Sequence, residues 1–233
     1  MFGEYKLSGE LFIEKHGLKI SVEEASKGIF KYYRCFQNIS TIKTIVSENP
    51  YLGIYPLPPI GLRPFTVEYV YLKLRSPITL SPNKKTEIYL KAPANIGVTV
   101  LENEKHTIID NISLVKEKYA LYGPIESGVL CRFYITDAYN EEPLTSLSEA
   151  VVKAMVINES NNFIEISKLI IPVSGAKLFY NTEQIYYGLV EVIIEAENEI
   201  IIKHLSEPIV PNISQAPITI GQPKEYLKME WGI

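Results

Sequence analysis

The sequence predicts an all-β fold: two β-sandwich-like lobes of mostly antiparallel short strands. Three observations carry that prediction. β-prone residues dominate, with 16 Tyr among 233 residues and abundant Ile, Val and Thr, side chains that fit a pleated, half-buried surface. The 15 Pro residues are spread through the chain, and Pro interrupts helix interiors and central strands alike, so the elements must be short. Short β-prone runs are also punctuated by Gly, Pro, Asn and Ser at close spacing. That rhythm fits a sandwich or barrel, because an α/β fold needs longer helical segments between its strands. At this length roughly 70% of the unfolded surface can be buried, so the core needs no staple.

Taken in order, residues 10–23 read as a hairpin turning at His16-Gly17. Ser21-Val22-Glu23-Glu24 resembles a capping box, with Gly28 placed to end a single helical turn. Residues 29–36 and 39–46 read as two more strands. The Pro-rich segment 51–64 is expected to be extended, as a crossover between two sheets rather than a polyproline docking segment. Residues 65–74 make the strongest strand, with Val67, Tyr69 and Tyr71 opposite Glu68, Val70 and Leu72. After a break at Ser76-Pro77, strands are expected near 86–91, 95–102 and 105–110.

The chain is organised around residues 118–135, which read as strand, turn, strand with Gly123-Pro124 and Ser127-Gly128 between the two runs. In the second run Val129, Cys131, Phe133 and Ile135 fall on one, core-like face. Leu130, Arg132 and Tyr134 fall on the other, free to pair, stack or face water. This hairpin closes a first lobe, residues 1–140, and 137–143 looks like a linker. The second lobe spans 144–215. Within it 148–157 fits either helix or strand, and its β-branched run favours strand. Strands at 163–173, 177–180, 185–195 and 199–205 follow, with Glu197-Asn198 as a hairpin turn. The tail, 216–233, is pinned by Leu227 and Trp231 or ordered by a partner.

The net charge of −4 and the scattered Lys and Arg provide little electrostatic drive towards phosphate backbones, which disfavours nucleic acid as a partner. The N-terminus carries charge at once and lacks the apolar stretch of a signal peptide. No apolar run approaches the ~18 residues of a membrane span. A cytoplasmic protein with no direct membrane insertion is expected.

Reactive constellations are sparse. The three His residues, 16, 106 and 204, sit in different hairpins without metal-ligand spacing. His106 with Asp110 is the best local mix of metal ligands, and a solvated polar turn explains it equally well. Glu195, Glu197 and Glu199 share one side of a strand, where a hard cation or a solvated hairpin tip would relieve their repulsion. Cys35 and Cys131 lie inside strands beside Arg34 and Arg132; two buried thiols are the expectation, with a bridge as the alternative. No phosphate-binding loop, dinucleotide fingerprint or nucleophile elbow is present, and no cofactor is implied. The candidate ligand-binding side chains are those of the central hairpin: Tyr119, Tyr122, Arg132 and Tyr134.

Residues 118–123 (Lys-Tyr-Ala-Leu-Tyr-Gly) followed by 128–133 (Gly-Val-Leu-Cys-Arg-Phe) resemble the archaeal family called domain of unknown function 432. Ser76-Pro77-Ile78, residues 88–97, Ile109-Asp110 and Val156-Ile157-Asn158 are similar too. The resemblance implies an archaeal, cytosolic β protein without an established activity or catalytic residues. It also implies a link to small-conductance mechanosensitive channels, and hence a membrane-protein partner. The leading expectation is a non-enzymatic interaction or regulatory module, self-associating or acting on a protein partner, because Tyr suits interfaces. The alternative is a carbohydrate- or nucleotide-binding protein with Tyr and Trp faces in a cleft. A hydrolase built on His106, Asp110 and a distant carboxylate is the third reading.

Overall fold

The computed structural model describes residues 1–48, 50–60, 67–196, 199–205, 207–222, 224 and 226–230. These form four sheets and no helix, and hence no helix long and apolar enough to cross a membrane. The N-terminal sheet is a meander of β2 (Glu10–Lys15), β3 (Leu18–Ser26), β4 (Ile29–Phe36) and β5 (Ile39–Val46). The middle sheet runs β1 (Gly3–Lys6), β6 (Tyr51–Leu57), β9 (Asn95–Glu102), β10 (Lys105–Ile112). The third runs β11 (Tyr119–Tyr122), β12 (Val129–Thr136), β7 (Tyr69–Leu80), β14 (Ile164–Pro172). The largest is centred on β13 (Glu149–Asn158), which pairs β8 (Lys84–Pro93) along one edge. Along its other edge β13 pairs β16 (Ile185–Tyr187) and β17 (Val190–Ala196). Beyond these lie β15 (Leu178–Tyr180) and β19 (Ser214–Gln215) on one flank, and β18 (Glu199–His204) and β20 (Tyr226–Met229) on the other.

Most ladders are antiparallel; β12 with β7, and β13 with β16 and β17, are parallel. The ladders run across positions 140–144, where the sequence suggests a boundary. β7 and β8 from the first half pair with β14 and β13 from the second. One core therefore joins the N-terminal and middle sheets, and a larger one joins the third and fourth sheets with the far side of β6.

Strand alternation distributes the middle sheet between these two cores. Leu52 and Ile54 of β6, with Ile96 and Val98 of β9, enter the smaller core, while Tyr55 and Leu57 enter the larger. A sheet covered on both faces leaves little room, and two glycines meet that demand. A Cβ on Gly53 would lie 2.5 Å from both Thr99 Oγ1 and the Tyr55 ring, and one on Gly97 would collide with Leu57.

Several expectations are corrected by tertiary pairing. The capping-box residues Ser21–Glu24 lie inside β3, which runs on to a turn where Gly28 takes a φ of 76°; pairing on both sides by β2 and β4 overrides the local helical signal. Ser76-Pro77 does not break a strand. The β7–β14 ladder shifts register between Ile78↔Ile166 and Lys73↔Lys168, so Pro77, with no N–H to donate, sits in the irregularity. The run 185–195 divides into β16 and β17 at Gly188, whose bare Cα is approached by the Leu205 carbonyl. The expected strand 65–74 is present as β7 from Tyr69; residues 61–66 lie outside the described residues, as do Glu197-Asn198 and Trp231. Leu227 pairs with Ile202, which ties the tail to the largest sheet.

Gly97→Ala is expected to cost about 1–3 kcal/mol of unfolding free energy in urea titrations, the usual magnitude for overpacking. The cost should shrink in a Leu57→Ala background, because that change removes the atoms the new methyl meets.

Candidate functional site

The central hairpin forms as its turn residues dictate: β11 pairs β12 antiparallel through Tyr119↔Arg132 and Tyr122↔Val129. Cys131 and Val129, on the face expected inside, do join the larger core, but burial does not follow that face throughout. Arg132 is in register with Val70, and Tyr134 with Leu72, and both partners are wholly buried. Arg132 and Tyr134 therefore share a face with these two, where Arg132 is 1% exposed, whereas Ile135, expected inside, is 39% exposed. Burial instead changes along the strand: Cys131 is wholly buried on the face of Ile135, while Leu130, on the face of Arg132, is 54% exposed.

Pairing with β11 stops at Arg132. Past that point the free edge of β12 meets residues 113–118, and the Phe133 amide donates to the Lys118 carbonyl at 2.9 Å. A cavity of about 260 Å³ opens there, lined by Arg75, Val115, Lys116, Lys118 and residues 132–135 of β12. Arg132 anchors it. Its Nη2 donates to Ser113 Oγ at 3.2 Å, and Nη1 lies 3.5 Å from Glu117 Oε1. Nη1 is enclosed and has no hydrogen-bond partner among the described residues. Tyr119 covers the guanidinium with its ring, 5.6 Å from centroid to Cζ, and donates to Glu117 Oε2 at 2.5 Å.

Tyr134 donates to Glu149 Oε1 at 2.5 Å. Burial and this contact raise the phenol above its ordinary range. Burial alone would raise the Glu149 carboxyl, but donation by Tyr134 and Ser146, together with the Lys91 charge, holds it below the usual value.

Of the four candidate side chains, Arg132 and Tyr134 line the cavity and Tyr119 caps Arg132. Tyr122 belongs to the core instead, edge-on to Tyr71 at 6.5 Å. Arg75, Lys116 and Lys118 were not legible as site residues. The only signal was the alternating Lys116-Glu117-Lys118 just before the hairpin.

His106 and Asp110 are not brought together. The β9–β10 register shifts between Ile108 and Asp110, and this bulge turns the two side chains to different surroundings. His106 approaches Thr99 Oγ1 at 3.3 Å and packs edge-on to Tyr55. Asp110 instead accepts from Tyr32 Oη at 2.9 Å and Arg34 Nε at 3.1 Å, joining the middle sheet to β4. Glu199 is ion-paired to Lys228 at 2.9 Å, while Glu197 lies outside the described residues. No group of three His, Cys, Asp or Glu side chains placed to hold a metal forms among the described residues. Cys35 and Cys131 are free thiols, and burial pushes that of Cys131 up to about 12.

The family described as Protein of unknown function (DUF432) matches residues 1–231. This chain belongs to that family. No curated protein and no solved structure matches it.

The third histidine, His204, is only half-buried as a residue, yet its Nε2 is enclosed without a hydrogen-bond partner among the described residues. Burial lowers its pKa from 6.5 to about 4. Below pH 6.5 the unfolded chain therefore binds a proton that the folded chain does not accept until near pH 4, so stability falls as pH falls through that window. The loss between pH 7 and 4.5 should be smaller in His204→Leu by about 2–3 kcal/mol, measured by chemical denaturation at each pH.

Proposed function

We propose that this chain is a binding module whose ligand is a small molecule seated at the free edge of β12. The observation that carries this reading is the cavity of about 260 Å³, lined by residues 132–135 of β12 with Arg75, Val115, Lys116 and Lys118, at which the buried Arg132 keeps an unbonded donor among the described residues. Ligand sites combine an enclosed volume with a few convergent polar groups, and this one lies just below their usual range of roughly 300–1,000 Å³, which suits a small ligand. A screen of nucleotides, sugars and small metabolites by thermal unfolding tests it. A ligand at 100 times its dissociation constant adds about 2.7 kcal/mol, a rise of roughly 5–10 °C for a chain of this size. Val115→Trp, which fills the cavity, should abolish that rise; a shift that survives the substitution places the ligand elsewhere.

A second reading, a self-associating interaction module, is favoured by the outer face of the N-terminal sheet. Register aligns Phe12, Ser21, Tyr33 and Ile42 across four strands, and Phe12 and Ile42 are 59% and 70% exposed. This row reaches β5, an edge strand. The only charge on β5, Lys43, turns inward to the Ile109 carbonyl rather than guarding the edge. A concentration-dependent dimer in sedimentation equilibrium, weakened by Ile42→Lys, is expected. A monomer throughout the accessible concentration range contradicts it.

A further inference from the structure

We infer that the ligand of this cavity is a small doubly charged oxyanion, inorganic phosphate or the phosphate of a phosphomonoester, with Arg132 as its anchor and Glu117 as a built-in competitor. The inference rests on the small-molecule reading above and adds the ligand's chemistry. Four cationic residues line the cavity, Arg75, Lys116, Lys118 and Arg132, and no Asp or Glu is among the lining residues. Arg75 is paired with Asp137 at 3.4 Å, and Arg132 stands 3.5 Å from Glu117. Lys116 and Lys118 enter no ion pair among the described residues. Glu149, behind Tyr134, faces the charge of Lys91. Two positive charges thus remain to be matched, which suits a dianion.

Arg132 supplies the second, independent sign of a ligand. A guanidinium removed from water is costly unless its N–H groups find acceptors, and among the described residues Nη1 has none within hydrogen-bond geometry. Its planar fork, held by Ser113 from one side and by the Tyr119 ring above, is pre-oriented for paired oxyanion acceptors. Glu117 is poorly placed to serve that purpose itself. Its side chain is 44% exposed and its other oxygen is taken by Tyr119, so the ion pair is weak and open to displacement. An arriving oxyanion takes over Nη1, and Glu117 is released into solvent.

Calorimetric titration of the full chain, in chloride buffer free of phosphate, compares inorganic phosphate, adenosine monophosphate and adenosine. One saturable site for phosphate or the monophosphate is expected, and none for adenosine. Equal affinity for the two anions identifies a seat for the free oxyanion; tighter binding of the monophosphate identifies a phosphomonoester. Arg132→Met should weaken binding at least about tenfold, the scale of one charge-assisted contact. Glu117→Gln, at an exposed position that does not threaten folding, should tighten it several-fold. Unchanged affinity in Glu117→Gln overturns the competitor role, and binding that persists in a folded Arg132→Met overturns the anchor. Adenosine binding as well as the monophosphate, with phosphate silent, overturns the anion while leaving a small-molecule pocket. Silence from all three overturns the ligand class, and a silent metabolite screen besides removes the pocket reading itself.

Discussion

Burial of the middle sheet on both faces is the constraint on which the rest of the structure depends. An antiparallel sheet ordinarily keeps one face in water, yet β6 and β9 feed Leu52, Ile54, Ile96 and Val98 into one core and Tyr55 and Leu57 into the other. The two sandwiches are therefore fused through a shared layer. Close approach across that layer explains why side chains are missing at Gly53 and Gly97. Polar groups there bond within the protein: Thr99 donates to the Gly53 carbonyl and the Asn95 amide donates to Asn111 Oδ1, while Asn95 Oδ1 has no hydrogen-bond partner among the described residues.

The polar network next to the Asn95–Asn111 pair is structural. Tyr32 and Arg34 of β4 converge on Asp110 of β10, and Lys43 reaches the carbonyl of Ile109 where the β9–β10 ladder slips. The bulge frees a backbone carbonyl and re-aims a carboxylate, and both are met by the facing sheet. A constellation that resembles a metal half-site along the chain is thus a clasp between two sheets.

Arg132 belongs to a different category, because its surroundings leave it incompletely satisfied. Its position is imposed by the parallel pairing of β12 with β7, which puts it opposite the wholly buried Val70. Enclosed charge with an unpartnered donor runs against the stability of a resting fold, and such departures concentrate where a protein binds something. Membership of a family without an assigned activity leaves this local conflict as the most informative feature of the chain.

Local chemistry determined much of the architecture. The β-rich composition, the turn at His16-Gly17, where both residues take positive φ, and the alternating runs on either side were enough for an all-β fold and most strand positions. Arg132 and Tyr134 were legible as candidates because turn signals and alternation mark the hairpin that carries them. Period-two patterning says that successive side chains part, but not where along the strand each face is covered, so the burial of Arg132 was not readable. Nor was the partnership of β7 and β8 with β14 and β13, the bulge that separates His106 from Asp110, or the convergence of Arg75 and Lys116 on the Arg132 cavity. Each depends on contacts between segments distant in sequence, and only the closed tertiary structure brings those together.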